Sequence, residues 1–354
     1  MLCDALVMHR RDLMILLAGG TTFARAVEAR LQFPADFGAH PASRTEWWYV
    51  TGSLQAGARL WGFQVTFFRS STGLAAGTSR FAATEMVFAH AALTDLEGRR
   101  LRHDQRIARS GFGIARAATG DTDVVLRDWH LVRTNEAYRA VVASEAAGFA
   151  LDLTIAPTQP VLSQGDAGLS RKGLLPQHAS HYYSEPQLAV TGTLKLQGQP
   201  VDVSGKAWLD HEWSDTYMPP AAVGWDWIGM NLDDGSALMA FRLRRADGTS
   251  EYAGGSVRRK GEPTRNFGPD EVTFMPGRVW QSASSKARYP VQWTVLTPAG
   301  RFTVSALLDD QELDSRNSTG AVYWEGLSDL LDEAGRRVGR GYLEMTGYAA
   351  TLRL

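Results

Sequence analysis

Two neighbouring segments decide the fold: residues 46–54, which read EWWYVTGSL, and residues 60–68, which read LWGFQVTFF. Both are rich in the aromatic and β-branched residues that favour extended strands. The five residues between them contain Gly57, an arrangement typical of a β-hairpin. Short apolar runs and glycine-containing turns continue towards the C-terminus, whereas helical spacing is hard to find. The chain is therefore predicted to be all-β and mostly antiparallel, with its sheets closed into barrels or folded into sandwiches.

The length of 354 residues suits two domains better than one. Prolines and glycines interrupt any long strand between residues 157 and 205. We therefore place the domain boundary near residue 190, so that residues 30–189 form the N-terminal domain and residues 190–354 the C-terminal domain. Two short helices are also predicted, at 309–313 and 327–333.

The composition excludes one class of partner and favours another. The formal net charge is −1, so the positive field that draws proteins to nucleic acid is missing, and no nucleic-acid partner is expected. Eleven tryptophans are present instead, and four of them fall between residues 208 and 227. This concentration of aromatic surface predicts a small apolar molecule as the ligand.

The N-terminal segment has the layout of a secretory signal. Arg10 and Arg11 precede a short apolar run, and small residues follow it. The run is shorter than the roughly 20 residues of a membrane helix. We therefore expect residues 1–29 to be cleaved, and the mature protein to be periplasmic or secreted, without a transmembrane helix. The paired arginines also permit a twin-arginine signal, with Met8 as an alternative start; the remaining alternative is an uncleaved, disordered or short helical N-terminus.

Cysteine chemistry is not expected. The only cysteine, Cys3, lies within this N-terminal segment, so the mature protein would have neither a disulfide framework nor a reactive thiol.

Residues 205–214 place two carboxylates and an imidazole inside an aromatic-bounded strand. Alternate side chains of a strand share a face. The expected sets are Trp208, Asp210 and Glu212 on one face, and Leu209, His211 and Trp213 on the other. Asp210, His211 and Glu212 could form an acid/base pair or a proton relay. Equally, they could form a structural network, because buried polar groups need partners whatever their function.

A second candidate is Asp226, which lies between Trp225 and Trp227. If it faces a dry cavity, burial would raise its pKa and keep it protonated, as required of an acid that delivers a proton to an alkene. Asp226 is our leading acid candidate on this basis. The alternative is that Asp226 points to solvent while the two tryptophans fill the core from the opposite face.

Aromatic side chains near these motifs are the candidate ligand-binding residues. They are Trp47, Trp48, Tyr49, Tyr182, Tyr183, Trp208, Trp213, Trp225, Trp227 and Trp324. A metal site would need His211, His178 or His181 to converge with a carboxylate, but no HExxH or similar ligand spacing occurs. No metal or other cofactor is therefore expected. A GxSxG elbow and the phosphate-binding glycine motifs are also absent from the sequence.

Several of these motifs resemble, in the same order, those of the lipocalin-like family of AttH-type "predicted secreted hydrolases" and, more distantly, the carotenoid hydratases (hydroxyneurosporene synthases). The resemblance spans nearly all of the expected mature chain. Its main segments are residues 33–41, 45–52, 62–69, 182–184, 208–214, 224–227, 323–326 and 341–348. It implies two lipocalin-like antiparallel β-barrel domains packed together, with a ligand cavity near their interface.

The resemblance also implies a reaction. In the hydratase branch, a carboxylate would protonate a double bond, water would trap the carbocation, and aromatic faces such as those of Trp225, Trp227 and Tyr183 would stabilise it. Asp226 and Asp210 are the counterparts of that acid. We therefore expect an exported protein that binds an apolar lipid, isoprenoid or polyene and acts as a hydratase. The alternatives are a non-catalytic lipid carrier that works with an ABC-type transporter permease, and a secreted, metal-dependent hydrolase.

Overall fold

The structure is a computed structural model, and it describes residues 30–74, 79 and 81–352. The predicted signal peptide and Cys3 lie outside the described residues. Among the residues described, no helix is long and apolar enough to cross a membrane.

Within the described residues, the first sheet has thirteen strands, paired antiparallel throughout. They are β1 (Thr45–Ala56), β2 (Arg59–Ser71), β3 (Glu85–Asp95), β4 (Arg100–Arg109), β5 (Ala115–Ala117), β6 (Asp123–Leu126), β7 (Trp129–Thr134), β8 (Ala137–Ser144), β9 (Phe149–Ala156), β10 (Leu162–Ser163), β11 (Leu169–Arg171), β12 (Ala179–Leu196) and β13 (Gln199–Thr216). The strand order is β4-β3-β2-β1-β13-β12-β9-β8-β7-β6-β5, and β10 and β11 pair with β12. A bridge between Gly111 and Ala115 brings the two ends of this order together. The sheet is therefore a nearly closed barrel.

In the part of the chain that the structure describes, the second sheet has ten strands, also antiparallel. They are β14 (Ala222–Leu232), β15 (Ala237–Arg245), β16 (Ser250–Arg258), β17 (Arg265–Phe267), β18 (Thr273–Pro276), β21 (Gln292–Thr297), β22 (Gly300–Ala306), β23 (Glu312–Ser315), β24 (Ala321–Leu331) and β25 (Arg337–Met345). The order is β17-β16-β15-β14-β25-β24-β22-β21-β18, with β23 paired to β24. A separate hairpin joins β19 (Val279–Gln281) to β20 (Arg288–Pro290).

The all-β, lipocalin-like prediction is confirmed. The helices among the described residues are two short 3-10 turns, Ala35–Phe37 and Pro269–Glu271. The predicted helix at 327–333 is wrong, because Leu327 and Leu330 lie in β24, which pairs with β25. The helix predicted at 309–313 is wrong as well, since this segment leads into β23.

The predicted first hairpin is present, with Ala56 opposite Arg59 and Gly57 at a φ of 58°. The predicted domain boundary needs correction. Residue 190 lies inside β12, and both β12 and β13 belong to the first sheet, so the chain changes sheets between residues 216 and 222. Pro186, which suggested an interruption, lies at a register shift between β12 and β13. Proline is tolerated at such a bulge because its missing N–H breaks no ladder bond there.

Each sheet encloses its own apolar core, and a third cluster lies between the sheets. Trp48, Leu209 and Trp213 belong to the first core, and Ile228 and Trp324 to the second. The intermediate cluster consists of Tyr49, Leu162, Tyr182, Trp208, Ala222, Trp227, Ala237, Met239, Phe241, Leu243, Leu327 and Tyr342.

Gly62 on β2 permits the close approach of the two sheets. A Cβ atom at this position would lie 2.7 Å from the Tyr342 hydroxyl and 2.9 Å from Leu327 Cβ. Both contacts are shorter than two such atoms tolerate, so a side chain here would push the sheets apart.

Candidate active site

A cavity of about 250 Å³ lies between the two sheets. Strands β1, β2, β3, β12 and β13 supply one wall, and β14, β15, β24 and β25 supply the other. Its aromatic lining consists of Trp47, Tyr49, Phe68, Phe88, Tyr182, Tyr217, Trp225, Trp227, Phe241 and Tyr323. Its carboxyl groups are Asp210, Glu212, Glu325 and Glu344. A small, mostly apolar chamber with a few polar groups is the usual form of a ligand site.

The pairing of β1 with β13 determines which side chains reach this cavity. Tyr49 stands opposite Asp210 and Trp47 opposite Glu212, and all four face the cavity. The intervening residues point the other way because successive side chains of a strand alternate. His211 therefore lies inside the first barrel rather than in the cavity.

Asp210 is held by three hydrogen-bond donors. Trp208 Nε1 and Ser184 Oγ donate to its Oδ1 atom at 2.6 and 2.5 Å, and the Tyr182 hydroxyl donates to Oδ2 at 2.7 Å. Burial raises the pKa of Asp210 to about 7, against the opposing effect of these donors. The carboxyl group can therefore be protonated or ionised near neutral pH, which is what a general acid requires.

Glu212 carries an ion pair. Lys172 Nζ lies 2.8 Å from its Oε1 atom, and Ser180 Oγ also donates to that oxygen. The ammonium group stands 4.4 Å from the centre of the Phe241 ring and 4.9 Å from that of Tyr182, within cation–π range. Among the described lining residues, Lys172 is the only lysine or arginine.

The second sheet contributes two further carboxyl groups. Burial raises the pKa of Glu344 to about 7, and the carboxylates of Asp210 and Glu212 add to the shift. Burial also raises the pKa of Glu325 well above its ordinary value, with Glu344 as a further cause. His90, which also lines the cavity, has its pKa lowered to about 3 by burial, so its imidazole is neutral near pH 7.

His211 belongs to a separate polar network in the first barrel. Its Nε2 atom lies 2.8 Å from Glu46 Oε1, and its Nδ1 atom lies 3.0 Å from the Tyr183 hydroxyl. Glu46 also accepts from His40 Nδ1 at 2.7 Å and from Arg69 Nε at 2.8 Å. Burial would raise the pKa of Glu46, but hydrogen bonds from the two histidines outweigh burial and lower it.

The donor atoms of His40, Glu46 and His211 lie within 4.8 Å of one another, as a metal site would require. The residues fit a metal poorly, however, because the buried guanidinium of Arg69 already balances the single carboxylate. His178 and His181, the other histidines considered for a metal, are not members of this group. The network also lies outside the cavity, so it offers little to a metal-dependent hydrolase acting there.

Asp226 does not line the cavity. Trp225 and Trp227 do, and alternation along β14 turns Asp226 to the opposite face. There it is buried rather than solvated, with Arg242 Nε 2.7 Å and the Tyr348 hydroxyl 2.8 Å from its oxygens. Its carboxylate is thus the ion-pair partner of an arginine inside the second sheet, and the structure does not bring it near Asp210.

The predicted aromatic residues divide in the same way. Those that line the cavity are Trp47, Tyr49, Tyr182, Trp225 and Trp227. Trp208 lies beneath the cavity surface, where it binds Asp210. The others lie in the cores: Trp48, Tyr183 and Trp213 in the first barrel, and Trp324 in the second sheet.

The lysine and two of the glutamates of the cavity, Lys172, Glu325 and Glu344, were not among the sequence candidates. Glu325 and Glu344 could have been identified from the sequence, because each is a carboxylate within an apolar strand and two residues from a tyrosine. No sequence pattern identifies Lys172, since it lies in the segment between β11 and β12 and only the folding of the chain brings it to Glu212.

Comparison with known proteins agrees with this architecture. The model of the AttH-like family matches residues 25–348. A crystal structure from Nitrosomonas europaea described as an AttH is similar, with 49% identity, a TM-score of 0.84, and coverage of 90% of this chain and 97% of that one. Kievitone hydratase from Nectria haematococca shares the fold, with 16% identity, a TM-score of 0.68, and coverage of 91% and 94%. A search of the curated proteins found no match. On the family model and the Nitrosomonas structure, the chain belongs to the AttH-like family.

Proposed function

We propose that this protein is a hydratase-like enzyme that binds an apolar, unsaturated small molecule between its two sheets and protonates it from Asp210. The observation that carries the proposal is the position of Asp210: a buried carboxyl group at the wall of an aromatic cavity, joined by a hydrogen bond to a second cavity group, Tyr182. The fold is compatible with this chemistry, because a hydratase shares it.

The size of the cavity limits the substrate. About 250 Å³ exceeds the volume of the engineered apolar protein cavity of roughly 150 Å³ that binds benzene. This is room for a compact isoprenoid or a segment of a longer one. The indoles of Trp47, Trp225 and Trp227 line the cavity, and aromatic rings at that surface would favour a substrate that develops positive charge.

The hydrogen bonds support a proton path. In the observed arrangement, Tyr182 donates to Asp210 Oδ2 and accepts from Trp227 Nε1 at 3.2 Å. When Asp210 is protonated on Oδ2, this bond reverses and the Tyr182 proton turns to the cavity. The alkene π electrons then form a C–H bond with that proton, while the Asp210 proton moves to Tyr182. A carbocation remains on the substrate and Asp210 is left ionised.

Glu344, which lines the same cavity, is our candidate base for the addition of water. Burial raises its pKa, like that of Asp210, to about 7, so near neutral pH one of the two carboxyl groups can be protonated while the other is ionised. The ionised Glu344 removes a proton from a water molecule as the water oxygen bonds to the carbocation. The product is an alcohol, and proton return from Glu344 to Asp210 restores the starting state.

The test uses a panel of C10 and C15 isoprenoids incubated in water enriched in ¹⁸O, with products identified by mass spectrometry. We expect a product that carries one added water molecule labelled with ¹⁸O. Asp210→Asn and Tyr182→Phe should lower its rate by a factor of about 10² to 10⁴, the range for general acid catalysis. Asp152→Asn, an exposed change on β9, is the control and should leave the rate unchanged.

Ligand binding, measured by quenching of tryptophan fluorescence, should survive Asp210→Asn. Undiminished turnover by this variant would remove Asp210 from the mechanism. Tight binding without turnover by the wild-type protein would favour the carrier alternative.

We also propose that the protein acts outside the cytoplasm, on the strength of the signal layout at residues 1–29. Fractionation of the native host, with sequencing of the mature N-terminus, tests this. An N-terminus at Met1 or Met8 in the cytoplasmic fraction would refute it. A permease partner stays a prediction from the sequence.

A further inference from the structure

We propose that Tyr49, Gln64 and Glu325 form a hydroxyl-binding subsite, so that the natural ligand of the cavity is an unsaturated alcohol rather than a hydrocarbon. The inference rests on the proposed function in one respect, namely that the cavity binds a small apolar molecule. It adds the polar group that this molecule carries and the place where that group binds.

The subsite is marked by buried polar atoms that lack a hydrogen bond of normal geometry. Among the described residues, Tyr49 Oη, Gln64 Oε1 and both carboxyl oxygens of Glu325 have no hydrogen-bond partner of normal geometry. All three side chains line the cavity, although they are only 7%, 1% and 2% exposed. Buried polar atoms usually have hydrogen-bond partners, so several buried atoms without a normal hydrogen bond at one cavity surface indicate a ligand group that pairs with them.

The neighbouring contacts hold these groups in place. Gln64 Nε2 donates to Thr66 Oγ1 at 3.0 Å and to the Tyr323 hydroxyl at 3.2 Å, which fixes the amide and leaves its oxygen as the free acceptor. Tyr323 is itself held by His90 Nδ1 at 2.8 Å. Glu325 lies two residues beyond Tyr323 on the same face of β24. Burial raises the pKa of both Tyr49 and Glu325, and a poorly aligned hydrogen bond between their side chains raises the tyrosine pKa further and opposes the rise at the glutamate.

The unpaired atoms identify the chemical class. The Tyr49 hydroxyl donates, the Gln64 oxygen accepts, and a neutral Glu325 carboxyl does both. A hydroxyl group is the smallest partner that can donate and accept at once. An ammonium group could not accept from Tyr49, and a carboxylate would lack a cation here, since Lys172 is paired with Glu212.

The subsite and the proposed acid are neighbours. Tyr49 is the direct cross-strand partner of Asp210, which places their Cβ atoms about 4.5–5.5 Å apart. A ligand hydroxyl bound at Tyr49 and Glu325 would thus lie only a few carbon atoms from the double bond that receives the proton. The geometry points to an allylic or homoallylic alcohol.

The experiment compares two matched probe pairs: geraniol with 2,6-dimethylocta-2,6-diene, and farnesol with the C15 triene that lacks its hydroxyl. Dissociation constants are measured by tryptophan quenching for the wild type, Tyr49→Phe, Glu325→Leu and the apolar control Leu243→Ala. In the two subsite variants, we expect affinity for the alcohols to fall about tenfold or more and affinity for the hydrocarbons to hold or rise. Leu243→Ala, a change in the apolar lining, should weaken both members of a pair alike.

The alcohol-to-hydrocarbon affinity ratio decides between outcomes. An unchanged ratio in both subsite variants would overturn the inference and leave the proposed function standing. Failure of the wild type to bind any probe would overturn both. Thermal unfolding without ligand checks the fold, and Glu325→Leu should melt no lower than the wild type because it removes an unpartnered buried carboxyl group.

Discussion

Two buried aspartates, Asp210 and Asp226, should respond in opposite ways to the same substitution. Asp226→Asn removes the charge that balances Arg242 inside the second sheet. Breaking a buried ion pair from one side leaves an uncompensated charge, and the loss of stability should be about 3–5 kcal/mol. Asp210→Asn replaces a carboxyl group whose pKa is raised by burial to about 7, and the asparagine amide resembles the protonated, uncharged form of that group.

The size of the Asp210 effect follows from its pKa. The shift from 3.8 to about 7 corresponds, at about 1.36 kcal/mol per unit, to at most about 4 kcal/mol. Because the folded-state pKa is raised, the unfolded chain releases this proton near pH 4 while the folded protein keeps it. The contribution of Asp210 to stability therefore falls as pH rises from about 4 to 7. Asparagine does not titrate, so Asp210→Asn should be the more stable protein at pH 8.

Urea unfolding followed by tryptophan fluorescence at pH 5 and pH 8 measures this directly. The stability advantage of Asp210→Asn over the wild type should grow by about 3 kcal/mol between these two values. Asp226→Asn is the matched control and should be less stable than the wild type at both. If Asp210→Asn is destabilised at pH 8, or its advantage does not change with pH, Asp210 is an ionised structural residue and the acid proposal fails.

Two further predictions concern the scaffold. Glu46→Gln should cost about 3–5 kcal/mol near neutral pH, because it leaves the buried Arg69 without its charge partner. Since the folded-state pKa of Glu46 is lowered, its contribution to stability is present above pH 4.5 and is lost as pH falls. Below pH 4.5, the unfolding free energy of the variant should therefore depend less on pH than that of the wild type, and an equal dependence would contradict the role of this network. Gly62→Val should cost about 1–3 kcal/mol by forcing β2 away from Tyr342 and Leu327. Urea unfolding measures this loss, and a variant as stable as the wild type would refute the steric explanation.

Strand alternation predicted much of the site. Period two separated Asp210 and Glu212 from His211 within a single segment, and the structure has the same division. Alternation also indicated that Asp226 could lie on the opposite face of its strand from the flanking tryptophans. What it could not supply was the environment of the second face, which is an arginine-lined core and not solvent.

Long-range pairing was beyond the sequence. Strand β1 pairs with β13, whose residues lie more than 140 positions later, and nothing local to either strand encodes that partnership. The boundary near residue 190 failed for the same reason, since β12 and β13 return to the first sheet after a segment rich in proline and glycine. Lys172 could not be assigned to Glu212 without knowledge of this return.

The two faces of the β1–β13 pair explain why one polar cluster is structural and the other is the candidate active site. Towards the barrel interior, Glu46 has every strong acceptor site occupied by His40, His211 and Arg69, and such a satisfied network stabilises one arrangement. Towards the cavity, Asp210 stands beside Tyr49, whose hydroxyl has no hydrogen bond of normal geometry, in a chamber with an excess of carboxyl groups. That second arrangement lowers the stability of the empty protein, and a fold retains such a penalty where function requires it. The contrast between satisfied and unsatisfied polar groups therefore favours the cavity face as the place where chemistry occurs.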